Sequence, residues 1–163
     1  MVATVQIAEK NTATPVLTDK TSGTVRFKNA DDANVDTVDP MVIPGSGSDW
    51  SFEKWLRLNV TVAPDTELSN LEFYMDGANG FGTGVNLWAK AVTAFSTPAE
   101  GVDATGYSDA FSYTSGAPLS LGAGAVTGTG EKGDHVVLLL EVQSTATQGT
   151  LAAETATFSY DEI

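Results

Sequence analysis

Residues 49–62 read DWSFEKWLRLNVTV, and from Phe52 onward the side chains alternate in character. Phe52, Lys54, Leu56, Leu58, Val60 and Val62 fall on one side, and Glu53, Trp55, Arg57, Asn59 and Thr61 on the other. Successive residues of a strand face opposite sides of a sheet, so this pattern predicts a long strand with an aliphatic inner face. The opposite face sets Trp55 beside a guanidinium and a carboxylate, an unusual surface for a plain monomer.

The same periodicity recurs along the chain. Residues 24–28 (TVRFK) alternate, with Val25 and Phe27 inward and Arg26 and Lys28 outward. In residues 68–75, Leu71, Phe73 and Met75 alternate against Glu72 and Tyr74. Residues 85–95 place Val85, Leu87, Ala89 and Ala91 on one face, with Trp88 and Lys90 on the other. Residues 134–143 (DHVVLLLEVQ) are the most apolar stretch and predict a central strand covered on both sides. A short strand is expected around residues 107–113. A last one spans residues 154–160, with Ala156, Phe158 and Tyr160 inward. Residues 29–39, rich in aspartate, read as a solvated loop, and residues 76–84 (DGANGFGTG) as a glycine-rich one. About seven to nine strands joined by Gly/Pro turns predict an all-β, single-domain β-sandwich, jelly-roll or immunoglobulin-like. Residues 1–20 alternate only weakly and contain Pro15. They predict an extended N-terminal arm ahead of a sandwich domain over residues 21–163.

Charge narrows the partners. Eight Lys and Arg face 21 Asp and Glu, a formal net charge of -13. Such a surface repels phosphate backbones and anionic lipids, which argues against nucleic-acid and membrane partners. Cysteine is absent, so disulfides and thiolate metal sites play no part.

Residues that could carry chemistry are sparse. The one histidine, His135, stands next to Asp134, but no G-x-S-x-G elbow or comparable nucleophile context accompanies it. We read it as a strand-edge histidine and expect no catalytic residues. The DGANGFGTG loop lacks the alternating ligands and closing Glu of an EF-hand. Asp31, Asp32, Asp36 and Asp39 have no recognised metal spacing, so we expect no metal or other cofactor. The glycine-rich loop does not lead into a helix, which removes phosphate binding. Trp55, Arg57, Trp88 and Lys90 remain as candidate partner contacts, because alternation puts them opposite the aliphatic face. They must lie under a loop or second layer, or meet a partner. Exposed Trp and Tyr would also suit glycan stacking or an interface anchor.

Several segments stand out: VRFKNADDANVD (25–36) followed by Pro40 and VIP (42–44), SFEKWLRLNV (51–60), NLEFYMDG (70–77), GVNLWAKA (84–91) and ETATFSYDEI (154–163). They resemble head or decoration proteins of tailed bacteriophages, a group of small β-sandwich virion proteins. The resemblance implies a structural role on the capsid exterior, without catalysis or cofactor. It implies a capsid decoration (cement) protein bound to the major capsid protein, and a closed homo-oligomer, trimer or dimer. The arm would then wrap neighbouring capsid subunits. Alternatives are a tail or head-fibre component and a carbohydrate-binding β-sandwich module.

Overall fold

In a computed structural model the described residues form ten strands in two facing antiparallel sheets. The structure describes residues 2–122 and 124–163. Met1, at the start of the expected arm, and Ala123, in a Gly/Ala/Thr loop, lie outside the described residues. The strands are β1 (Thr4–Asn11), β2 (Val16–Asp19), β3 (Ser48–Trp50), β4 (Lys54–Val62) and β5 (Leu68–Tyr74). They continue with β6 (Val85–Val92), β7 (Ser108–Asp109), β8 (Leu119–Ser120), β9 (Gly130–Gln143) and β10 (Thr157–Glu162). The larger sheet runs β2-β1-β4-β9-β6-β7, with β3 also paired to β9; the smaller runs β10-β5-β8.

β9 is central, as its two-sided apolar pattern requires. Val136, Leu138, Leu140 and Val142 face the smaller sheet, and His135, Val137, Leu139 and Glu141 are buried on the other side. The inward set meets Leu56, Leu58 and Val60 of β4, and Val85, Leu87 and Ala89 of β6. From the opposite layer come Leu68, Leu71, Phe73, Met75 and Phe158. Phe73 and Phe158 meet edge to face, with centroids 5.4 Å apart. Fully burying one such side chain stabilises the fold by roughly 1.5–3 kcal/mol, so this two-layer core is the dominant favourable contribution.

β9 carries a bulge where it passes β4: Leu56 pairs with Val136, but Leu58 with Lys132. Gly133 makes the bulge with φ +70°, and a Cβ there would stand 2.6 Å from the Leu121 carbonyl oxygen. The next amide, Asp134 N–H, donates to that same oxygen at 2.6 Å. Only glycine supplies both the left-handed backbone and the close approach that ties the two layers here.

Three expectations are corrected. The expected arm over residues 1–20 is overturned from Thr4 to Asp19: β1 pairs with β4 from Thr4↔Val62 to Lys10↔Trp55, and β2 returns alongside it. Val5 and Ile7 continue the inward alternation and Glu9 takes the next inward position, where it pairs with Lys54 and Lys20. Residues 24–28 send Val25 and Phe27 inward as expected, but they join no ladder, and Lys28 is fully buried rather than outward. The expected single strand over residues 49–62 breaks at Ser51–Glu53. There Ser51 N–H donates to Leu140 O at 3.0 Å, and Ser51 Oγ accepts from Leu140 N–H at 3.0 Å. The amides of Phe52 and Glu53 turn away to Lys28 O (3.1 Å) and Ala99 O (2.9 Å), each in a different loop.

Candidate functional site

The structure distributes the four sequence candidates over three carboxylates on the outer face of the larger sheet. Trp55 is 3% exposed, lying beneath the connection between β6 and β7 (residues 93–107). Phe95 from that connection meets its ring edge to face at 5.3 Å, and His135 meets it at 5.4 Å. The indole Nε1 donates to Glu53 Oε2 at 3.0 Å. Lys90 reaches Glu53 Oε1 at 3.4 Å and stands 3.9 Å over the Tyr107 ring, whose hydroxyl donates to the same carboxylate. Burial, reinforced by Glu53, pushes the Tyr107 phenol well above its ordinary range, so it stays a neutral donor.

Trp88 lies apart, its Nε1 donating to Glu141 Oε2 at 3.2 Å. Burial alone would raise the Glu141 carboxyl; donors from Ser48, Asn86, Gln143 and Trp88 outweigh it and hold the group below its ordinary value. Arg57 Nε donates to Gly133 O at 2.7 Å, and its Nη1 is 4.0 Å from Glu131. Trp55 and Lys90 are therefore brought together through Glu53, while Trp88 and Arg57 belong to separate clusters. Trp55 is covered by the chain itself, the first of the two options its position left open, and offers no face to a sugar.

His135 is not at a strand edge but inside β9, and 1% exposed. Its Nδ1 lies 3.1 Å from Val92 O, so it must donate there, which leaves Nε2 to accept from Lys10 Nζ at 3.3 Å. Lys10 also pairs with Glu131 at 3.0 Å and stands 4.7 Å over Phe95. Burial holds the imidazole below its ordinary pKa and neutral. Both ring nitrogens are thus engaged by a carbonyl and an ammonium, an arrangement that orders the loop rather than activating a hydroxyl.

The more distinctive feature was hidden in the sequence. Between β2 and β3 run 28 residues, 20–47, without a strand or helix of their own. Irregular connections of that length in a compact domain are uncommon and usually functional or disordered. Here three buried lysines hold the segment. Lys20 Nζ donates to Thr24 O (2.9 Å) and Ala33 O (2.7 Å), and Lys54 Nζ to Asp32 O (2.6 Å). Both ammonium groups also flank Glu9, which is 0% exposed, at 3.5 and 3.1 Å. Lys28 Nζ pairs with Asp36 at 2.8 Å and Asp32 at 3.1 Å. The bond to Asp36 raises the Lys28 pKa against its burial, and the same bond lowers that of Asp36. Asp31 closes the end, accepting from Asn11 Nδ2 (3.0 Å) and Thr12 N–H (2.8 Å) on the β1–β2 turn. On the outside of this fastened segment stand Val35, Val38 and Val42, 56–58% exposed. Apolar side chains on a pre-ordered loop can bind without a large ordering cost.

No protein-family model, no curated protein and no solved structure matches the chain.

Proposed function

We propose that this chain is a structural virion protein of a tailed phage, a capsid decoration protein on the outer head shell. Its partner in this reading is the major capsid protein, and it acts as a closed dimer or trimer without a cofactor. The segment resemblance supports the reading, and one observation carries it further. The resembling stretch VRFKNADDANVD is the one in which Lys28 gathers Asp32 and Asp36 and the outward Val35 is presented. The docking element is then the 20–47 loop, since the N-terminal residues are held in the sheet and cannot wrap a neighbour. Val35, Val38 and Val42 supply apolar contact, and the surrounding aspartates select a basic rim on the shell. The high negative charge keeps decorated particles apart.

The test is cryo-electron microscopy and quantitative mass spectrometry of the source particle. Copies in a fixed ratio to the shell subunit, with residues 35–42 against it, are expected. Absence from the shell ends the reading. A Val35→Asp/Val38→Asp double variant, folded normally, is expected to lose shell binding by more than about tenfold.

A further inference from the structure

We infer that the cleft between the two layers is the seat of an extended segment from a partner polypeptide, which adds a strand to the smaller sheet beside β10. The inference stands independently of the virion reading. The larger sheet sets six strands side by side against three, so its inner face is wider than its regular cover. A cleft of about 1050 Å³ opens between the layers, floored by core side chains that are themselves buried. Ile7, Leu56, Leu58 and Leu140 line it from the larger sheet, and Phe27 and Phe158 from the opposite layer.

The backbone beside this cleft lacks partners. Among the described residues β10 pairs only with β5 and is an edge of the smaller sheet. Residues 24–28 alternate as a strand does, yet among the described residues no hydrogen bond reaches the amides or carbonyls of Val25, Arg26 and Phe27. The same holds for residues 150–156, which lead into β10. Thr150, Ala152, Ala153, Thr155 and Ala156 are exposed, so water reaches their backbone, and an apolar ligand such as a lipid would fill the cleft without pairing with it. An extended peptide supplies alternating apolar side chains and a row of donors and acceptors together.

Charge narrows the sequence of that peptide. On a chain of net charge -13, Lys20, Arg26 and Glu154 are the charged residues lining the cleft; Lys20 is already paired with Glu9, which leaves Arg26 as the cation available to an occupant. Arg26 makes no hydrogen bond or salt bridge among the described residues. The occupant is therefore an extended segment with apolar residues at every second position, no proline, and a carboxylate near Arg26.

Panning a display library of random peptides of about ten residues against the full-length protein tests this, followed by hydrogen exchange and anisotropy with the enriched peptides. The expected peptides alternate, carry an acid, and slow exchange at residues 25–27 and in β10. N-methylation at alternate amides, with side chains kept, is expected to weaken binding by about tenfold or more, and Arg26→Glu to weaken it severalfold. No enrichment, protection elsewhere, or equal binding of the N-methylated peptide overturns the proposal. Two further outcomes also overturn it. Palmitate binding that excludes the peptides assigns the cleft to a lipid. Dimerisation that protects the same amides without peptide assigns it to a second copy.

Discussion

Two long irregular segments leave the larger sheet, and both are tied to it at the same break between β3 and β4. Phe52 N–H holds residues 20–47 through Lys28, and Glu53 N–H holds residues 93–107 through Ala99. Beyond that shared anchor they differ. The first is secured by buried ammonium groups of Lys20, Lys28 and Lys54. The second is secured by Phe95 on Trp55 and His135, by buried Pro98, and by Gly101, where a Cβ would come within 2.6 Å of Leu139. Ionic pins fix one geometry and penalise the loss of any partner, because the remaining charge stays buried. Aromatic cover fails gradually, in proportion to the area lost.

The sharpest way to break that contrast is Glu9→Gln, which leaves Lys54 and Lys20 without their shared carboxylate. We expect a loss of about 3–5 kcal/mol in urea denaturation. A loss below about 1 kcal/mol would show that carbonyls alone hold those lysines. Next is Phe95→Ala, expected to cost about 1.5–2 kcal/mol. Hydrogen exchange should speed up within residues 93–107 and stay unchanged within residues 20–47. Lys28→Met keeps much of the stem and frees Asp32 and Asp36, which reach water. We expect about 1 kcal/mol and faster exchange at the amides of Asn34 and Val38, which those carboxylates cap.

The smallest effect separates the segments by pH. His135 has a native pKa below its unfolded value near 6.5, so the unfolded chain binds the proton first. Its contribution is complete above pH 6.5 and declines as pH falls from there toward the native pKa. Asp36 is also depressed, from 3.8, so its contribution is present above that value and lost only as pH falls through the native one. Urea midpoints should therefore begin to fall near pH 6.5, with exchange rising first around residues 93–107. His135→Phe should flatten that limb and leave the acid limb in place.

Alternation made the core strands legible. β4, β5, β6 and β9 lie close to where Leu56, Phe73, Leu87 and Leu138 put them. What alternation did not reveal was polar burial. Glu9, Lys10 and Asn11 look like the surface of an arm until their partners come into view, and those are Lys54, Glu131 and Asp31, remote in sequence. Lys28 reads as an outward charge for the same reason. Trp55 was rightly set opposite the aliphatic face, but its cover comes from Phe95, in a stretch whose own pattern is only that of a loop. Local periodicity reports which face a side chain takes, and charge pairing across long separations leaves no period to read.

The central place of β9 has a consequence during synthesis. β4 ends at Val62 and its inner neighbour begins only at Gly130. At about 5–20 residues per second, the apolar face of β4 waits roughly 3–14 s before synthesis even reaches that neighbour. Until then the β1–β4 pairing can form but cannot be buried between strands. The chain is thus committed to closing late and over long sequence distances, a topology that folds slowly. During that interval the excess of acids in the part already made, 15 Asp and Glu against seven Lys and Arg before Gly130, rather than its packing, is what keeps one nascent chain from another.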